Sequence, residues 1–319
     1  MPLDRQVELL LEQAARAGGT PMHLQTPAEA RATMLAQTAA LGRPEQVAKV
    51  ENRSIPGPDA DVPVRVYTPV GDAPFAGLVY FHGGGWVIGS VETHDNLCRS
   101  IANAAGCVVV SVEYRLAPEH KFPAAVDDAY AATCWVAEQA DRLGIDRRRI
   151  AVGGDSAGGN LAAVVALMAR DRSRPGLALQ ALLYPITDRD LNTPSYLKYA
   201  DGYLLSRDGM AWFWNHYLPE GVSPDQPYIS PLRAGDLHGL PPALVITAEC
   251  DPLCDEGNAY ARRLEEAGVP VTLSCYPGMI HGFVRRNRLL DQGQRGLEEM
   301  AAALRAMRPD ADEGSGSPA

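Results

Sequence analysis

Serine, aspartate and histidine occur in an order that suits nucleophilic acyl transfer: Ser156, Asp251 and His281. Ser156 sits in "IAVGGDSAGGN", residues 150–160, with Gly154 and Gly158 two positions to either side. In a G-x-S-x-G turn the chain passes from strand to helix with almost no loop. The serine then takes a strained φ/ψ, and side chains flanking it at two positions' distance would collide. A helix starting at Ala157 aims unpaired N–H groups at any negative charge developing near Ser156. The competing reading is a glycine-rich turn with an N-cap serine. Neither a G-x-x-x-x-G-K-[ST] loop nor a G-x-G-x-x-G opening a helix after the first strand is present, so nucleotide chemistry has little support.

A second glycine loop, "FHGGGWVIG" at 81–89, follows an apolar run. Three consecutive glycines cost chain entropy and need a reason. Acyl transfer passes through a tetrahedral oxyanion that needs preorganised donors, and a loop without side chains lets its N–H groups approach closely. The N–H groups of Gly83, Gly84 and Ala157 are the expected oxyanion hole. His82 is expected to brace this loop, with general base as its lesser alternative.

Serine at neutral pH is a weak nucleophile and needs a base within hydrogen-bond reach. Of the seven histidines, His281 in "YPGMIHGF" directly follows a strand-like run, with Gly282 beside it. It is the expected base, on a loop at the carboxyl edge of the sheet. Its orienting acid should come from "ALVITAECDPLCDEG". Asp251 lies just past the apolar run and before Pro252, whereas Asp255 is a helical turn further on. Asp251 is therefore favoured over Asp255, to hold the imidazole tautomer. A plain N-cap is the bland reading of Asp251. "CDPLC" lacks a second cysteine pair or a nearby histidine, so no metal is expected.

Elements that could position these groups follow from periodicity. Apolar runs at 77–82, 107–114, 150–154, 179–185, 243–249 and 271–277 suit central parallel strands. The first strand signal, "VPVRVYTP" at 62–69, alternates and suits a half-exposed strand. Helical patterns occupy 124–140, 157–172, 255–268 and 296–307, so strands and helices alternate as in a doubly wound sheet. Residues 1–48 read as helices broken near Gly18–Pro21. Residues 187–238 contain no good strand, and an insertion of that length is usually functional. The expected organisation is therefore a core of 49–186 and 239–308, with 1–48 and 187–238 lying outside the alternation. The tail, 309–319, is polar and expected to be disordered. Trp86, Tyr203, Leu204, Leu205 and Phe213 are the candidate pocket residues.

The composition excludes other classes. A chain of 319 residues, 46% hydrophobic, can bury a large core. Its net charge of −10 argues against nucleic acid and suits an uncharged substrate. No apolar run reaches the roughly 20 residues needed to span a bilayer, and the charged N-terminus lacks a signal-peptide layout. Six irregularly spaced cysteines read as reduced thiols in a cytoplasmic protein.

Together, "HGGGW" (82–86), "YRLAPEHKFPAA" (114–125), "GDSAGGN" (154–160), "DPLCDEG" (251–257) and "HGF" (281–283) resemble the bacterial hormone-sensitive-lipase-like esterases. The resemblance spans residues 60 to 300. It implies an α/β-hydrolase fold, a mostly parallel sheet flanked by helices, with a cap formed by 1–48 and 187–238. It also implies a cofactor-free carboxylesterase acting on small, neutral, short-to-medium acyl esters, and a homodimer through the strand at 271–277. An amidase, arylformamidase or deacetylase with the same triad is the alternative enzyme, and a non-catalytic binding protein the alternative class. Arg115 and Glu119 are expected to tie the loop under the glycine turn. Glu113 and Cys254 depart from the Asp and Arg common in the family.

Overall fold

The computed structural model describes residues 2–307. The tail expected to be disordered, 309–319, lies outside them. Eight strands form one sheet: β1 Lys49–Ile55, β2 Val62–Thr68, β3 Phe75–Phe81, β4 Cys107–Val112, β5 Ile145–Asp155, β6 Leu179–Leu183, β7 Ala243–Cys250 and β8 Val271–Ile280. The helices are α1 Arg5–Ala17, α2 Pro27–Thr38, α3 Val91–Ala105, α4 Ala124–Glu138, α5 Ala140–Leu143, α6 Ala157–Asp171, α7 Pro194–Lys198, α8 Arg207–Tyr217, α9 Cys254–Glu266 and α10 Asp291–Ala306.

The strand order is β1-β2-β4-β3-β5-β6-β7-β8. The β1–β2 and β2–β4 pairs are antiparallel, and every later pair is parallel. Successive residues of a strand face opposite sides. Val79, Phe81, Val110 and Val152 therefore pack with α4, α6 and α9, while Leu78, Tyr80, Val109 and Ala151 pack with α3 and α10. The chain winds outward from β3 to β4, then returns to β5 on the other side of β3. That reversal opens a crevice at the carboxyl ends of β3 and β5, the usual ligand position in such sheets.

β1, α3 and the one-turn α5 escape the sequence reading. β1 was not expected because "KVENRSI" is polar and mostly exposed. Its pairing along β2 is what makes it a strand. α3 has a buried stripe, Leu97, Cys98, Ile101, Ala102 and Ala105, behind a polar first turn, and it carries local punctuation: a Ser90–Thr93 capping box and Gly106 in the left-handed region at its end. Glu113 adds to that start by accepting from the Val91 N–H at 2.6 Å. The 187–238 stretch contains α7 and α8 and no strand. Among the described residues, no helix is long and apolar enough to cross a membrane.

Candidate active site

β5 runs straight into α6, and Ser156 is the residue between them, at φ 57° and ψ −117°. A Cβ on Gly158 would overlap the Phe81 carbonyl, and one on Gly154 would lie 2.5 Å from the Gly158 carbonyl carbon. The two flanking glycines therefore permit the turn. Ser156 is 7% exposed, at the floor of a cleft of about 1310 Å³.

His281 follows β8 and Asp251 follows β7. The His281 Nδ1–H donates to Asp251 Oδ2 at 2.7 Å, which leaves Nε2 as acceptor, 3.0 Å from Ser156 Oγ. Asp251 is wholly buried, and its other oxygen accepts from the Leu253 N–H at 2.9 Å. Asp255 is turned away and accepts from the Ser195 N–H at 2.8 Å. Three residues far apart in sequence thus form one relay, Ser156–His281–Asp251.

His82 is fully buried and does not line the cleft. Its Nδ1–H donates to the Gly83 carbonyl at 2.9 Å, and its ring stacks on Tyr114. Burial, with His94 beside it, pushes its imidazole down to about 3. It is a neutral brace for the loop.

The glycine loop corrects one expectation. The Gly83 N–H donates to Asp155 Oδ1 at 2.9 Å, so it is not free for an oxyanion. Among the described residues, the N–H groups of Gly84, Gly85 and Ala157 take no protein acceptor. Gly84 and Gly85 line the cleft beside Ser156. Their φ values, +126° and +58°, favour glycine, and a Cβ on Gly85 would enter the Phe213 ring.

Asp155, passed over in the sequence, organises this loop. Its Oδ1 also accepts from the Tyr80 hydroxyl at 2.7 Å, and His94 Nε2 lies 3.3 Å from its Oδ2. Burial works to raise its pKa. The neighbouring His94, with hydrogen bonds from His94 and Tyr80, instead holds it well below the usual carboxylate range. Asp155 announced itself only by adjacency to the serine, and nothing in "VETHDN" marked His94.

Of the candidate pocket residues, Leu204, Leu205 and Phe213 line the cleft. Trp86 and Tyr203 do not. A left-handed turn at Trp86, φ +60°, sends its indole into the core, where it stacks on Tyr217 with ring centroids 4.1 Å apart. Tyr203 packs edge-on against Tyr199 at 5.0 Å. The cleft also takes Met22, His23 and Met34 from the N-terminal segment, and Arg285 and Arg286 beyond His281. Both the N-terminal helices and the 187–238 insertion therefore contribute walls above the serine.

Arg115 does not meet Glu119. It binds Asp128 and Asp59, while Glu119 pairs with Arg31 of α2. Arg31 donates as well to the carbonyls of Val87 and Ala117, at 2.8 and 2.9 Å. The N-terminal helix is thereby fastened to the loop that carries the glycines.

Residues 78–285 match the alpha/beta hydrolase fold family. A carboxylic ester hydrolase of Mycobacterium tuberculosis, LipN, is 46% identical over 86% of this chain and 75% of its own. An ethyl acetate hydrolase of Pseudomonas putida is 41% identical over 94% of this chain and 97% of its own. Among solved structures, a hyperthermophilic esterase from the archaeon Pyrobaculum calidifontis superposes with a TM-score of 0.93 at 45% identity. That superposition covers 96% of this chain and 99% of that one. A strained serine, a buried Asp–His relay and a capped parallel sheet thus coincide with these likenesses, and the chain belongs to the hormone-sensitive-lipase-like α/β-hydrolases.

Proposed function

We propose that the protein is a serine carboxylesterase that hydrolyses short-to-medium acyl esters through an acyl-enzyme on Ser156. The observation carrying this is the relay itself, 3.0 Å from Ser156 Oγ to His281 Nε2 and 2.7 Å from His281 Nδ1 to Asp251. Ser156 Oγ attacks the ester carbonyl as its proton passes to His281 Nε2. Asp251 keeps Nδ1 protonated and stabilises the imidazolium. The carbonyl oxygen gains negative charge and is met by the N–H groups of Gly84, Gly85 and Ala157. Each such donor contributes about 10²–10³ in rate. The alcohol leaves with the proton from His281. Water then gives a proton to His281 and attacks the acyl carbon, and the acid departs as the acyl–Oγ bond breaks and His281 returns that proton to Ser156 Oγ.

Ser156→Ala is expected to remove hydrolysis of 4-nitrophenyl butyrate by at least about 10³-fold, with an unchanged circular dichroism spectrum. Near-wild-type turnover by the folded variant would refute the assignment.

Two further readings accompany it. Six unbridged cysteines support a cytoplasmic location. Among the described residues the outer edge of β8 has no neighbouring strand, and Leu273 on it is 36% exposed, which supports a homodimer formed through that edge.

A further inference from the structure

We propose that Arg285 and Arg286 form a binding site for a carboxylate carried by the ester substrate. The inference rests on the esterase reading and names the substrate class for the same cleft. Both arginines line that cleft together with Ser156 and His281. Both are partly buried, and both hydrogen bond only to neutral acceptors. Arg285 Nη2 donates to Thr38 Oγ1 at 3.3 Å, and Arg286 Nη1 donates to the Gly282 carbonyl at 2.9 Å. Arg285 Nε is buried and has no acceptor among the described residues. Most donors of the two forks are therefore unspent where they face the cleft.

Their charge has no direct counterpart among the described residues. Asp155 is the carboxylate whose field reaches both. Its oxygens are already taken by Gly83, Tyr80 and His94. Burial lowers the pKa of both arginines, and Arg285 beside it helps bring Arg286 down to about 10. Two adjacent, partly buried cations without a paired anion repel each other, and an arriving anion relieves that repulsion. A guanidinium fork matches a carboxylate in particular. The other acids lining the cleft are placed differently. Glu29 is held in the capping box of α2, and Asp201 and Asp208 are exposed. An anionic group is thus steered toward the His281 side. The net charge of the whole chain suggested an uncharged substrate, but the reacting groups meet this local field instead.

The test compares acids with their own methyl esters in the wild-type protein. One pair is 4-nitrophenyl hydrogen glutarate and 4-nitrophenyl methyl glutarate, with the carboxylate on the acyl side. The other is 2-acetoxybutanoic acid and its methyl ester, with the carboxylate on the alcohol side. In at least one pair the acid should have a kcat/KM about tenfold or more above the ester, expressed mainly in KM and shrinking as sodium chloride is raised. In Arg286→Gln and Arg285→Gln that ratio should fall about tenfold, and Arg286→Lys should restore part of it. A structural role alone would lower both members of a pair together. The proposal is overturned if neither acid is preferred by the wild type, or if the ratio survives in a folded double glutamine variant. If the variants do not fold, the wild-type ratios and their salt dependence still decide. Failure to hydrolyse 4-nitrophenyl butyrate would sink the esterase reading. Butyrate turnover without any preference for an acid would sink this inference alone.

Discussion

Asp155 shows how much one unassigned side chain can carry. It joins the strand that delivers the serine to the loop that delivers the oxyanion donors, through Gly83 and Tyr80. Asp155→Ala leaves a buried N–H and a buried hydroxyl without an acceptor and frees the loop to drift. We expect kcat on 4-nitrophenyl butyrate to fall about 10- to 10²-fold with a smaller change in KM, since the lost contact acts on the transition state. An unchanged kcat in a folded variant would count against this role. Ser156, Asp251 and His281 were all legible in the sequence, because each lies just past an apolar run and the G-x-S-x-G spacing has a steric cause. The oxyanion donors were less legible. Whether Gly83 or Gly85 points inward depends on backbone rotation, and three identical glycines carry no trace of it. Asp155 was hidden because the motif treats its position as variable.

Among the elements, the glycine loop and the inserted helices are packed as one piece. Trp86 stacks on Tyr217 and lies 4.7 Å from Trp214, and both partners belong to α8. Trp86→Ala is expected to cost about 3–5 kcal/mol, because the neighbours cannot collapse into the space left. Urea unfolding of the two proteins measures it, and a loss below about 1 kcal/mol would show that the packing tolerates the gap. The sequence reading failed on Trp86 because an aromatic next to a catalytic loop suggests a pocket wall, whereas the positive φ reverses its direction. α4 and α9 were readable from their own periodicity, and α6 from a long, almost wholly apolar run. β1 was not, because it is held by a neighbour rather than by its own apolar face.

At the scale of the molecule, buried histidine links folding to pH. His82 is held near 3 in the folded state against an ordinary value of 6.5. Below pH 6.5 the unfolded chain takes up a proton there that the folded chain refuses until about pH 3. Stability is therefore lost as pH falls through that window, by about 1.4 kcal/mol per pH unit from this group. Urea unfolding at pH 6 and pH 4.5 should show a slope flatter by that amount in His82→Asn; equal slopes would discount the residue. For the proposed dimer, sedimentation at micromolar concentration should give twice the monomer mass, and Leu273→Lys should give the monomer. A wild-type monomer would remove the β8 edge as an interface. The arrangement of Arg31 bears on the chain as a machine. One guanidinium clasps the carbonyls of Val87 and Ala117 and the carboxylate of Glu119. The roof over the cleft and the cradle for the developing charge are therefore latched together, so lifting the roof to admit a guest must also tug on the cradle.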